Sequence, residues 1–202
     1  GKMKVMVETD DSYTKRLKEE YTKRTEDRKK YYAEVEKLDI EEANKQLETA
    51  NAKAAEAMNN ELRNLKNSYD AQDHEMLTHL KKGEITLAQY NEAVKRLEEE
   101  RGVQEALIQT KYNQQSEQRE KEHKDKIVAA NVKANNSVLN NYKSIIEKLQ
   151  NIDSSEAVRN GFGFMNIKAT KRRNQWLIGE YNKLSNDLGN EIKKLENKLK
   201  QD

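Results

Sequence analysis

Residues 81–90 read KKGEITLAQY, in a chain of 202 residues that contains no proline and only seven glycines. A sequence this poor in helix breakers has few places to stop, so a stretch that stops and restarts within about four residues decides the fold. Gly83 stands where an outgoing helix needs a left-handed residue just past its end, and Lys81 and Lys82 place positive charge against the last carbonyls. Thr86 followed by Gln89 has the spacing of a capping box, and Ile85 with Tyr90 occupies the two positions of a hydrophobic staple. Every residue of the stretch has a task in closing one helix and opening the next. A connection this short makes the two helices antiparallel neighbours.

Outward from the corner, apolar residues recur at spacings of three and four. Upstream the run is Tyr13, Leu17, Tyr21, Tyr32, Val35 and Leu38, then Met58, Leu62, Leu65, Tyr69, Met76 and Leu80. Near the C-terminus Leu177, Tyr181, Leu184, Leu188, Ile192, Leu195 and Leu199 form an unbroken stripe. Its period is 11 residues over three turns, which packs nearly straight or with a slight right-handed twist. Val138, Leu139, Tyr142, Ile145, Ile146 and Leu149 offer that stripe a partner, met antiparallel across a second corner. Asp153 with Glu156, and Gly161 with Gly163, mark this second corner. Asp39 with Glu42 is a weaker start signal that predicts a kink and no stop.

The expected architecture is all-α, an elongated antiparallel helical hairpin or coiled-coil bundle of long helices. Residues 1–10 are read as a flexible or extended arm. Residues 11–150 form the hairpin with its corner at 83–86. Residues 151–202 supply a glycine-aromatic corner and a C-terminal helix that packs back on the hairpin. Folding about the corner sets 113–126, which carry no apolar side chain, against the alanine-rich stretch 43–56. That seam is predicted to be the loosest part of the hairpin. The opening Gly1-Lys2, without an initial methionine, reads as a segment cut from something longer.

Composition agrees with helices that bury seams and no thick core. Leu, Ile, Val and Phe together are 38 of 202 residues, whereas Ala, Glu, Lys, Arg and Leu make up 97. The second figure is the mark of coiled coils and long helices. Thirty-eight basic residues against 36 acidic ones leave a net charge of only +2, so the charges describe a solvated helical surface. No run approaches the roughly 18 apolar residues of a membrane span. The absence of cysteine rules out disulfides and thiolate metal sites.

Each candidate site in the sequence also has a plain structural reading. HEMLTH (74–79) has the letters of a zinc-protease motif, but His74 and His79 are five apart and point about 140° from each other around a helix. They read as structural or surface residues, and His123 is the only other histidine. The basic cluster Lys168, Lys171, Arg172 and Arg173 with Trp176 could meet phosphate or an acidic partner. The stripe beginning beside Trp176 favours a core or rim tryptophan. Phe162, Phe164 and Met165 could form a partner-docking knob, and read more simply as a plug closing the second corner. No nucleophile, phosphate loop or metal cluster is legible. The expectation is a chain that is not an enzyme and takes no cofactor, metal or small-molecule substrate. Its partners would be proteins, itself included.

The segment LTHLKKGEITLAQYNEAVKRLEEER (77–101) resembles the helix-corner-helix elements of phage tail tape-measure proteins. It also resembles, more locally, the helical hairpins called SHOCT domains. The first resemblance implies a structural role: a helical chain that fills the tail tube during assembly and sets tail length, found in the virion tail or in the bacterial cytoplasm. The strong C-terminal stripe and the glycine-aromatic corner depart from a simple ruler. Two other classes stand beside it: a bacterial coiled-coil adaptor or oligomerisation module associating through 177–199, and a helical nucleic-acid-binding protein using 168–173.

Overall fold

The computed structural model describes the backbone of residues 10–151 and 164–201; side chains are described for 15–16, 18–150 and 171–200. Three helices account for nearly all of it: α1 (Asp10–Lys81), α2 (Leu87–Asn151) and α3 (Phe164–Gln201). No strand occurs among the described residues. The protein is all-α, with helices packed on one another as a helical hairpin bundle. The expected arm at 1–9 and the second corner, with Asp153, Glu156, Gly161, Phe162 and Gly163, lie outside the described residues. So do the side chains of Phe164, Met165 and Lys168.

The corner between α1 and α2 is built from backbone bonds that its sequence prescribes. Gly83 has φ 74°, the left-handed conformation that costs glycine nothing. Its N–H donates to the carbonyl of Leu80 at 3.0 Å, and the Glu84 N–H reaches back to the carbonyl of His79 at 3.0 Å. This pair of bonds is a Schellman motif, and it satisfies carbonyls that the helix end leaves open. On the entering side, the Gln89 N–H donates to the Thr86 hydroxyl at 3.2 Å and the Thr86 N–H donates to Gln89 Oε1 at 2.8 Å. That reciprocal pair is the capping box.

At Asp39 the helix does not stop: α1 runs on as continuous α-helix. The Asp39 carboxylate instead accepts from Lys133 Nζ at 2.8 Å. An N-cap side chain competes for a helix start only where upstream residues leave their helical geometry, and nothing before Asp39 forces them to.

Packing divides the chain into two compact units, one of Gly1–Glu41 with Lys126–Asp202 and one of Glu42–Asp125. The division cuts through both long helices and does not follow the corners.

In the first unit α3 lies beside both other helices. Val138, Tyr142 and Tyr181 form the buried centre, and Tyr21, Tyr32, Ile145, Ile146, Leu149, Leu184 and Leu188 pack around it. Ala130 and Ala134 carry the same face of α2 upstream, and Ile192 carries the α3 stripe onward. Tyr142 is 1% exposed, the most enclosed large side chain described. Leu38, counted above as a seam residue, is 64% exposed. The face of α1 that turns inward runs through Tyr21, Thr25, Arg28 and Tyr32, and a residue six positions past Tyr32 lies on the other side of the helix.

In the second unit only two helices meet, and the seam is thin. Ala43 and Tyr112 are its buried apolar residues among those described. Side-chain bonds cross the seam at several levels: Tyr90 to Asp73, Lys111 and Tyr112 to Glu61, Arg119 to Asn51, and His123 with Asn44. The pairs fall close to symmetrically about the corner near 84 and 85. The 43–56 against 113–126 register is therefore held by two polar cross-links, Arg119–Asn51 at 2.8 Å and His123–Asn44 at 2.7 Å, in addition to Ala43.

Candidate functional site

The densest chemistry in the described residues is the aromatic cluster of the first unit. Tyr21 on α1 meets Tyr181 of α3 edge-on, with ring centroids 4.9 Å apart, and meets Trp176 at 5.7 Å. Tyr142 of α2 approaches Tyr181 at 5.5 Å. Such edge-to-face pairs set the positive rim of one ring on the negative face of another, worth about 0.5–1.5 kcal/mol each beyond area burial. The cluster joins all three helices through aromatic rings at successive inward positions.

Polar groups thread the same interior. Thr25 is buried and its hydroxyl donates to the Tyr21 carbonyl at 2.8 Å. Arg28 donates to Asn141 Oδ1 across the α1–α2 seam. Asn174 is buried, and its side-chain oxygen accepts two bonds from Arg173 at 3.2 Å. By contrast, the hydroxyls of Tyr21, Tyr142 and Ser185 and the Asn131 side-chain oxygen are buried without a hydrogen-bond partner among the described residues. A buried hydroxyl without a partner costs roughly 1–3 kcal/mol relative to one that is satisfied.

Burial shapes the titration of these phenols. Tyr21 is pushed up to about 12, first by burial and then by the neighbouring Tyr181 and Glu180. Burial also raises Tyr142 and Tyr181, opposed in both by the positive charge of Arg28. A phenol in an apolar surround resists becoming phenolate, because the anion would lose its water.

The residues singled out from sequence are scattered. Trp176 is half-buried against Tyr21, with Lys18 Nζ 5.6 Å from the ring centroid, an arrangement that holds a cation over the indole face. Lys171 and Arg172 are exposed, and Arg173 is engaged with Asn174. His79 contacts the Glu84 carboxylate across the corner, and its other ring nitrogen lies 3.9 Å from Glu75. His74 is exposed, and among the described residues no group of three His, Asp or Glu side chains converges as a metal site would require. Gly83, Ile85, Thr86, Gln89 and Tyr90 lie together at the corner, with Tyr90 donating to Asp73 at 3.0 Å.

Sequence reading missed Thr25, Arg28 and Asn174. Counting only apolar side chains hid them, although the signal was present. Thr25 follows Tyr21 by four residues and Arg28 follows it by three more. Asn174 lies three before Leu177 at the head of the C-terminal stripe. The periodic face continues through polar residues that find partners inside.

Comparison with known protein families, with curated proteins and with solved structures returns no match.

Proposed function

We propose that this chain is a structural helical protein with no catalytic role, and more specifically a segment of a phage or prophage tail tape-measure protein. The observation that carries the structural reading is how the polar side chains are used. In the two-helix unit, Asp73, Glu61, Asn51 and Asn44 each bond the opposite helix, so the chemistry-bearing groups serve as cross-links. The tape-measure reading adds the resemblance carried by 77–101 and the long, proline-free, polar helices around it.

The alternatives have less to support them. An oligomerisation module acting through 177–199 needs that stripe free for a second copy, yet Tyr181 and Ile192 are already buried within one chain. A nucleic-acid reader needs an aromatic face open to a base, and Trp176 is already engaged with Tyr21 and Lys18.

The test is genetic. The flanking genes should encode tail-tube and baseplate proteins. In-frame deletions in the parent gene should shorten tails measured by electron microscopy, by up to about 1.5 Å per residue removed, the rise of an α-helix. Tails of unchanged length would overturn the ruler function. Neighbours unrelated to tail assembly would remove the phage reading while leaving the structural one standing.

A further inference from the structure

The near-neutral charge of the whole chain conceals a division between its two units. Residues 42–125 carry 13 basic side chains against 17 acidic ones, whereas 1–41 with 126–202 carry 25 against 19. Within the three-helix unit the excess gathers at one end. Lys18 and Tyr21 of α1 meet Trp176 of α3, and Tyr142 of α2 meets Tyr181, so 15–24, 143–150 and 171–180 lie together there. These segments hold ten basic residues and four acidic ones, and every basic residue except Arg173 is exposed.

The acidic residues do not neutralise them. Glu20 is taken by Arg24 and Glu180 by Lys183, which leaves Glu19 and Glu147. Lys15, Lys23, Lys143, Lys148, Lys171 and Arg172 have no ion-pair or hydrogen-bond partner among the described residues. Elsewhere exposed ammonium groups sit four residues from a carboxylate, as Lys37 does with Glu41, Lys66 with Asp70 and Lys95 with Glu99. Cations gathered without counter-charges build a positive potential that a polyanion relieves.

Two further observations choose among polyanions. The exposed large hydrophobic residues described are Tyr31, Leu38, Leu87, Val103 and Leu107, and none falls in the three segments. A specific protein interface needs apolar or aromatic anchors at its centre, and a membrane surface is held best where such side chains insert. Single-stranded nucleic acid stacks its bases on open aromatic rings, and the Trp176 ring is already occupied by Lys18 and Tyr21. A target recognised through charge alone fits this end. The nucleic-acid duplex is such a target, with about one phosphate charge per 1.7 Å of its axis.

We infer that this end of the three-helix unit docks on the phosphate backbone of double-stranded nucleic acid without reading its sequence. Lysine suits the task, because its ammonium meets phosphate as a point charge on a flexible stem. The inference goes beyond the tape-measure reading and does not depend on it.

The experiment titrates the full chain into a fluorescein-labelled DNA duplex of about 24 base pairs and reads anisotropy from about 50 to 200 mM NaCl. With about four phosphates engaged, affinity should fall about 100-fold over that range. A duplex of unrelated sequence should bind within about twofold. Lys23→Gln combined with Lys171→Gln and Arg172→Gln changes three exposed side chains. It should lower affinity at least tenfold at low salt, make the salt dependence shallower and leave the melting temperature unchanged. Lys193→Gln with Lys194→Gln and Lys198→Gln removes the same charge farther along α3, and should cost less than about threefold. Equal losses in the two triple variants would overturn the site. Tighter binding to polyglutamate, or to vesicles containing phosphatidylserine, would overturn the nucleic-acid assignment. Absent binding at low salt, or an affinity that salt does not change, would overturn the inference altogether.

Discussion

Two regions of one molecule, made from the same two long helices, hold themselves together differently. Where α1 and α2 meet alone, the buried apolar residues described are Ala43 and Tyr112. Where α3 joins them, Ala130, Ala134, Val138, Tyr142, Tyr181 and Ile192 are all buried. Part of the cause is sequence, since 113–126 of α2 carry no apolar side chain whereas Val138, Leu139, Tyr142, Ile145, Ile146 and Leu149 follow. Geometry supplies the rest. Two helices touch along a line, so each can hide only one row of side chains. A third helix in the groove between them encloses a volume, and rings such as Tyr142 can be surrounded on all sides.

The contrast is broken most directly by deleting its centre. Tyr142→Ala should destabilise the three-helix unit by about 3–5 kcal/mol, as large aromatic truncations in packed interiors do. Tyr112→Ala, in the two-helix seam, should cost less, because a single row can close over the gap. Urea denaturation monitored separately in the two units, by fluorescence of Trp176 and by hydrogen exchange of the hairpin amides, distinguishes them. Equal losses would mean that the third helix adds area without adding a core.

Alkaline pH sharpens the same comparison. Tyr21 titrates at about 12 in the folded protein against an ordinary value of 10.0. Between these values the folded state keeps a proton that the unfolded chain has released, so stability falls as pH rises from about 10 to about 12. The three-helix unit should therefore lose stability through that window. Tyr21→Phe should remove part of the loss, measured by chemical denaturation at pH 9, 10.5 and 11.5. A stability profile that Tyr21→Phe leaves unchanged would show that this phenol is not the source.

Smaller effects belong to the corner, where backbone chemistry and not burial is at stake. Gly83→Ala should cost about 1 kcal/mol from the positive φ alone, since a Cβ there meets no atom within 4 Å. Thr86→Ala removes the hydroxyl that accepts from Gln89 and should cost about 1 kcal/mol or somewhat less. Both losses should appear in the melting of the two-helix unit. An unchanged melting temperature for both variants would show that the helices are antiparallel for reasons other than the corner.

How much of this was legible depended on how local the cause was. The stretch 81–90 could be read atom by atom, because a Schellman motif and a capping box each involve residues within six positions. The C-terminal stripe was legible as a face, and Tyr181, Leu184, Leu188 and Ile192 do turn inward. Faces do not name their partners, however. Leu38 satisfies the three-and-four spacing after Val35 but lies 64% exposed, because it sits off the face of α1 that runs through Tyr21, Thr25, Arg28 and Tyr32. The polar members of the interior, Thr25, Arg28 and Asn174, were invisible to an apolar count.

Native-state hydrogen exchange on the intact chain at neutral pH reads both regions in one measurement. If enclosure by α3 is what separates core from seam, amides at 130–146 and 177–192 will open with clearly higher free energies than those at 43–55 and 112–123. Uniform protection along α2, or greater protection in the two-helix unit, would contradict that claim.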